Sequence, residues 1–196
     1  MRSLPRIPLF AVGAAAALLL GWLVFPSFLY ERIDQPLHFS HALHTSDSVG
    51  LSCSDCHGFD DEGRFAGIPV TRVCADCHEE MVTDSEFERR LVEDYVTADR
   101  EIVWKIYARQ PENVYFPHAS HVVLAEIDCA RCHGDHGASE ALRPLERNRL
   151  SGYSRDIWGT SVSRFAASDS PRMKMGDCCA CHRQSKVTTG CLDCHR

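Results

Sequence analysis

Ten of the eleven cysteines in this 196-residue chain fall into five copies of one arrangement: a cysteine, two further residues, a second cysteine and a histidine. The copies are Cys53-Ser54-Asp55-Cys56-His57, Cys74-Ala75-Asp76-Cys77-His78, Cys129-Ala130-Arg131-Cys132-His133, Cys178-Cys179-Ala180-Cys181-His182 and Cys191-Leu192-Asp193-Cys194-His195. This is the attachment signature of c-type haem, in which two thiols form thioether bonds to the porphyrin vinyl groups and the next imidazole is held against the iron. Paired Cys-x-x-Cys units also build zinc ribbons, but zinc gives no reason for a histidine directly after the second cysteine of every pair. A disulfide framework leaves the same histidines unexplained. The pattern therefore assigns thioether roles to Cys53, Cys56, Cys74, Cys77, Cys129, Cys132, Cys178, Cys181, Cys191 and Cys194. His57, His78, His133, His182 and His195 become the proximal iron ligands of five haem c groups.

One cysteine is left over, and it lies inside the fourth motif, where Cys178 and Cys179 are adjacent. With Cys178 in the motif, Cys179 is either a spare thiol acting as a small hydrophobe or the single thioether anchor of a sixth haem. Six histidines also remain: His38, His41, His44, His118, His121 and His136. Imidazole on both faces of an iron gives a six-coordinate, low-spin centre suited to electron transfer, with no open position for chemistry. Five irons need five distal ligands, and five of these histidines have a recognisable setting. His41 and His44 lie in Phe39-Ser40-His41-Ala42-Leu43-His44, and His118 and His121 lie in Phe116-Pro117-His118-Ala119-Ser120-His121. A spacing of three puts both imidazoles of each pair on one side of a helical turn, within reach of two neighbouring irons. His136 closely follows the third motif. His38 has no such setting and is a lesser candidate ligand, strengthened by a sixth haem. Met173 and Met175, before the fourth motif, and Met81, after the second, are thioether alternatives that would raise the potential of a haem. Gap filling is the commoner role of methionine.

These groups need elements to hold them and a compartment to load them. Residues 7–30 carry no charged side chain, and Arg2 and Arg6 precede them. That length suits a spanning helix and exceeds a cleavable signal core, and the arginines would keep the N-terminus cytoplasmic. The expected organisation is thus a signal anchor over residues 1–30 and an exported haem domain over 31–196, consistent with haem attachment outside the cytoplasm. The exported part offers about 33 residues per haem, too few for a conventional core as well, so the haems themselves must serve as the core. The expected fold class is mainly α with much irregular loop and scarce sheet. One longer helix is expected over about 84–99, opened by a Thr83/Glu86 capping box and carrying Phe87, Leu91 and Tyr95 on one face. Residues 102–107 read as an extended linker.

The Phe-x-His-x-x-His element recurs after 77 residues, each time ahead of a haem motif, which predicts an internal duplication over about 36–100 and 114–196. The motif-free stretch 137–177 is expected to contact a partner subunit. Charge is uneven: residues 45–104 hold 5 basic and 15 acidic side chains, whereas residues 141–196 hold 10 basic and 5 acidic. An acidic face beside an accessible haem would steer a basic, lysine-rich redox protein. Nucleic acid is excluded by sign and compartment.

Phe-x-His-x-x-His followed by Cys-x-x-Cys-His resembles the small multihaem cytochromes of the c3 and c7 type. The resemblance implies a class III haem domain in which the first histidine of each pair ligates the haem of the next motif and the second ligates another. His41 would then serve the haem of Cys53 and Cys56, His118 that of Cys129 and Cys132, and His44 and His121 their neighbours. The apolar N-terminus, Val114-Tyr115-Phe116-Pro117-His118-Ala119-Ser120-His121, Met173-x-Met175-x-x-Cys178 and the terminal Gly190-Cys191-Leu192-Asp193-Cys194-His195-Arg196 resemble the cytochrome subunits of the Qrc menaquinone reductases and of alternative complex III. For the first, the resemblance implies a bacterial inner-membrane complex in which a basic periplasmic cytochrome c3 supplies electrons. The cytochrome passes them to iron–sulfur and integral membrane subunits, where menaquinone is reduced. In the second, electrons flow outward from quinol. The surplus cysteine and the acidic face favour the first.

Two other classes fit less well. A pentahaem nitrite reductase would need a five-coordinate haem and typically a lysine-ligated motif, whereas all five motifs here end in histidine. A quinol dehydrogenase of the NapC/NrfH type places its first motif close to the membrane with a methionine soon after it. Here 22 residues separate Tyr30 from Cys53, and Gly58-Phe59 follow His57. No catalytic residue is assigned; the expectation is an electron-transfer subunit, not an enzyme in its own right.

Overall fold

The computed structural model describes residues 6–107, 113–152, 173 and 175–195. Its N-terminal segment corrects the expectation of one spanning helix. Helix α1 covers Arg6–Leu19, after which the backbone ladder widens to π-type over Leu20–Val24. Helix α2 is confined to Phe25–Phe28, and strand β1 begins at Tyr30. Among the described residues no helix is long and apolar enough to cross a membrane. The break has a local cause: Pro26 has no backbone N–H to donate to the ladder. Upstream of it the Phe25 N–H reaches back five residues to the Leu20 carbonyl. Leu9, Phe10, Val12, Leu18, Leu19 and Leu20 nonetheless stand exposed along this segment.

Strand β1 (Tyr30–Ile33) pairs antiparallel with β2 (Leu145–Asn148), in the register Tyr30↔Asn148 to Ile33↔Leu145. Sheet is as scarce as expected, this ribbon being the only one among the described residues. Arg147 Nε donates to Glu31 across the ribbon at 2.7 Å. Beyond β1, Gln35 Nε2 donates to the carbonyls of Lys105 and Arg143 at 2.9 and 2.8 Å, and Gln35 Oε1 accepts from the Lys105 N–H at 3.0 Å. One side chain thereby ties three distant stretches of chain together.

The remaining helices are short and most carry a haem motif: α3 (His41–His44), α4 (Cys53–Cys56), α5 (Thr71–His78), α6 (Glu86–Leu91), α7 (Cys129–His133), α8 (Met175–Gln184) and α9 (Cys191–Cys194). A four-residue helix cannot sustain itself because its first turn costs more than its few bonds return, so caps are needed. The Asp55 carboxylate accepts from the Ser52 N–H at 2.6 Å, and Asp193 accepts from the Gly190 N–H at 2.7 Å. Asp128 caps α7 by accepting from Ala130 N–H at 2.7 Å. The aspartate before the second cysteine is therefore a structural part of the first and last motifs.

Helix α6 starts later than predicted, with Ser85 as N-cap, and passes into a π-turn over Val92–Val96. The Thr83/Glu86 capping box does not form; Thr83 bonds to Glu88 instead. Leu91 and Tyr95 pack within the chain, around Leu37 and Ile102, with Cys74 and Trp104 at the edge. Phe87 lies outside that cluster and stacks on His38. Residues 101–107 run without regular structure, and Ile102 is pinned by its N–H donating to Thr71 Oγ1 at 2.9 Å.

Among the described residues only Leu37, Val92, Tyr95 and Ile102 are buried apolar side chains. A polypeptide interior is nearly absent, which is the condition expected if porphyrin is to fill it. Of the motif-free stretch 137–177, residues 153–172 and 174 lie outside the described residues.

Candidate haem-binding sites

In each motif a helical turn sets the geometry. Cysteines at i and i+3 share a face, and the histidine at i+4 follows on that face one turn along. No disulfide joins any of the eleven cysteines. Burial pushes the Cys56, Cys74, Cys129, Cys132 and Cys178 thiols above their usual range.

The histidines stand in pairs across gaps instead of converging in one cluster. Ring centroids are 6.3 Å apart for His44 and His78, 6.3 Å for His118 and His133, and 6.0 Å for His121 and His182. An imidazole nitrogen–metal bond of about 2.0–2.1 Å on each side, plus the half-width of each ring, calls for roughly 6 Å between centroids. Each gap therefore has the width one iron requires. Each pair also joins a histidine of a Phe-x-His-x-x-His element to the histidine of a motif, and His118 meets the histidine of the motif that follows it.

The opposite ring nitrogen is tied down in most of these residues. Nδ1 lies 2.8 Å from the Ser40 carbonyl in His44, 2.9 Å from the Pro117 carbonyl in His121, and 2.8 Å from the Gly67 carbonyl in His57. In His78 it lies 2.7 Å from Glu88 Oε1, and in His182 it lies 3.3 Å from Thr189 Oγ1. An oxygen acceptor fixes the proton on Nδ1, which turns the Nε2 lone pair outward as a ligand. Burial, reinforced by the neighbouring His133 and His121, lowers the His118 pKa, and burial with His57 lowers that of His133. Both imidazoles are thereby kept neutral, the form a metal needs.

The two copies of the histidine-pair element share one local geometry. Phe39 meets His41 edge-on at 4.9 Å and stacks on His44 at 4.5 Å. Phe116 meets His118 edge-on at 4.8 Å and stacks on His121 at 4.4 Å. One aromatic ring orients both imidazoles in each copy.

His41 stands apart from these three motif-facing pairs. Its ring lies 6.3 Å from that of His136, a second non-motif histidine, and its Nδ1 lies 3.1 Å from Ser139 Oγ. The cause is docking of α3 on the stretch after the third motif: the Ala42 N–H donates to the Ser139 carbonyl at 3.0 Å and Thr45 Oγ1 donates to the Gly137 carbonyl at 2.9 Å. Burial, together with His136, His57 and His44, lowers the His41 pKa to about 4. Among the described residues no second imidazole faces His57 or His195 at that spacing. The fifth motif is instead pinned beside the second histidine pair, with the Tyr115 N–H donating to the Cys194 carbonyl at 2.8 Å.

The lesser candidates occupy other settings. His38 stacks on Phe87 at 4.4 Å. Met175 opens α8 with 69% of its surface exposed, Met173 is half-buried, and Cys179 is exposed. Two residues at the sites escape motif reasoning. Phe65 stacks on His118 at 4.2 Å, presented by a tight turn in which Asp60 accepts from the N–H groups of Glu62 and Arg64 and from Arg64 Nε. Glu88, 8% exposed, holds His78. The Asp60-Asp61-Glu62-Gly63 run marks the first as a turn, whereas no local signal marks the second.

The sequence pattern of the cytochrome c3 family matches residues 43–143 of the chain. The chain is also 34% identical, over 202 aligned positions, to the menaquinone reductase multiheme cytochrome c subunit of Nitratidesulfovibrio vulgaris. That alignment covers 95% of this chain and 89% of the relative. Motifs, paired imidazoles and these two likenesses agree, and the chain belongs to the cytochrome c3 family as a multihaem c-type cytochrome closely related to that subunit.

Proposed function

We propose that this protein is the electron-transfer subunit of a quinone-linked membrane complex, taking electrons from a basic periplasmic cytochrome c3 and relaying them to iron–sulfur and integral membrane subunits that reduce menaquinone. The observation that carries the reading is the set of motif histidines facing second imidazoles across gaps of about 6 Å. When bound, haem c supplies a one-electron Fe(III)/Fe(II) couple. The chain's part is to hold both axial ligands in place in either oxidation state. The Nδ1 bonds and the Phe39 and Phe116 clamps do this, so little of the site must move as charge passes. Quinone chemistry belongs to the companion subunits.

Five motifs argue for five haems, and the His41–His136 gap offers room for a sixth iron without a motif of its own. A pyridine haemochrome count clearly above five per chain, dropping by one on Cys179→Ser, would support six; a count of five per chain would rule out the sixth. The matched geometry of the two histidine pairs supports an internal duplication over about 36–100 and 114–196. We place the haem domain on the periplasmic face of the inner membrane, where the exposed apolar residues of α1 and α2 are covered by lipid.

The acidic surplus of residues 45–104 supports a basic electron donor over the reverse flow of an alternative complex III. Purification of the native complex, with reduction of a menaquinone analogue driven by reduced cytochrome c3, tests the reading directly. The rate should fall as ionic strength rises. Recovery of the cytochrome alone, without membrane partners, would sink it.

A further inference from the structure

Glu88 is the one buried carboxylate among the described residues, and its position is over-determined. It accepts from the backbone N–H groups of Val82 and Thr83, each at 2.7 Å, and from the Thr83 hydroxyl. A fourth bond joins Oε1 to His78 Nδ1 at 2.7 Å. Four donors converging on one buried carboxylate supply the hydrogen bonds that a charge withdrawn from water requires.

The other histidines with a tied Nδ1 bond to neutral oxygens. The partner oxygen is a carbonyl for His44, His57 and His121, and a hydroxyl for His41 and His182. A charge-assisted bond is shorter and roughly twice as strong as a neutral one. A carboxylate on a ligating histidine pulls its Nδ1 proton and raises the basicity of Nε2, which favours the more positive metal. Among the described residues one motif of the five is built in this way.

We propose that Glu88 is a positioning residue that acts through the Nδ1–H of His78 and makes the haem attached at Cys74 and Cys77 lower in reduction potential than the sites whose histidines bond neutral oxygens. The proton stays shared between His78 and Glu88 while one electron enters or leaves, so the transfer needs no proton carrier. Such a site gives up its electron more readily than its neighbours and fills last.

The proposal rests on His78 being an iron ligand. The test is a spectroelectrochemical titration of the full-length holoprotein, with the haems counted by pyridine haemochrome. Glu88→Gln keeps size and shape and removes the charge. One midpoint is expected to rise by about 59 mV, corresponding to a tenfold change in the oxidised-to-reduced ratio of a one-electron couple. Thr83→Val withdraws one donor from the carboxylate, strengthens its hold on His78, and should move the same midpoint down. With haem content intact, no movement on Glu88→Gln, or a fall, overturns the proposal. Should Glu88→Gln yield no holoprotein, Thr83→Val decides, and the absence of a downward shift overturns it. Absence of haem from a wild-type peptide containing Cys74 and Cys77, read by mass spectrometry, would instead sink the assignment of His78 as a ligand.

Discussion

Replacing His121 by alanine is the sharpest test of how the imidazoles are paired. The ring is stacked on Phe116 at 4.4 Å and faces His182 at 6.0 Å. An aromatic stack of this kind contributes about 0.5–1.5 kcal/mol beyond area burial. The Nδ1 bond to the Pro117 carbonyl at 2.9 Å contributes about 0.5–1.5 kcal/mol more. His121→Ala should therefore cost about 1–3 kcal/mol before any bond to iron is considered, or about 2–12 °C in Tm for a chain of this size. The diagnostic result is chemical. The haem attached at Cys178 and Cys181 becomes five-coordinate, and the reduced variant binds one more equivalent of carbon monoxide per chain than the wild type. Added imidazole should restore the low-spin spectrum. Carbon monoxide uptake equal to that of the wild type, in a folded variant with full haem content, would refute the pairing of His121 with His182.

Other outcomes follow from the same contacts. Thr71→Val leaves the buried Ile102 N–H without its acceptor and should cost about 1–3 kcal/mol, read as a lower Tm and faster amide exchange at Ile102. Phe65→Ala removes the ring stacked on His118 and should destabilise by about 0.5–1.5 kcal/mol, with the haem at Cys129 and Cys132 showing the altered spectrum. Hydrogen bonds from the Arg64 backbone and side chain hold the Asp60 pKa below its ordinary 3.8. A depressed carboxylate stabilises the fold above its unfolded pKa and loses that contribution as pH falls through the folded value. The 60–64 turn should therefore loosen only below about pH 4, seen as amide exchange at Gly63 and Arg64, and Asp60→Asn should loosen it at neutral pH.

Much of the site is legible in the chain because covalent haem attachment is local chemistry. Two cysteines and a histidine within five residues declare themselves without knowledge of the fold. The His44 and His121 partnerships were likewise within reach, since a three-residue spacing separates two imidazoles by one turn. The His41–His136 pairing was not, because it depends on Thr45 and Ser139 closing a contact between segments some 95 residues apart. Glu86 fitted the capping-box pattern, yet the acid that matters is Glu88. The choice turned on where α6 begins, and the π-turn behind it is a tertiary compromise with no signature in composition. The N-terminal segment misled for a related reason: hydropathy measures what a stretch prefers to touch, whereas Pro26 decides how far one ladder can run.

In each Phe-x-His-x-x-His element, one phenyl ring braces two imidazoles, which on the proposed reading serve different irons. The distance between successive irons is then set by a single turn of backbone and not by the length of the intervening loops. Loops may lengthen, shorten or change charge to suit new partners while the stride of the electron path stays constant. The six-residue element is in effect a spacer gauge, and copying it extends a conductor without retuning the segment already in place.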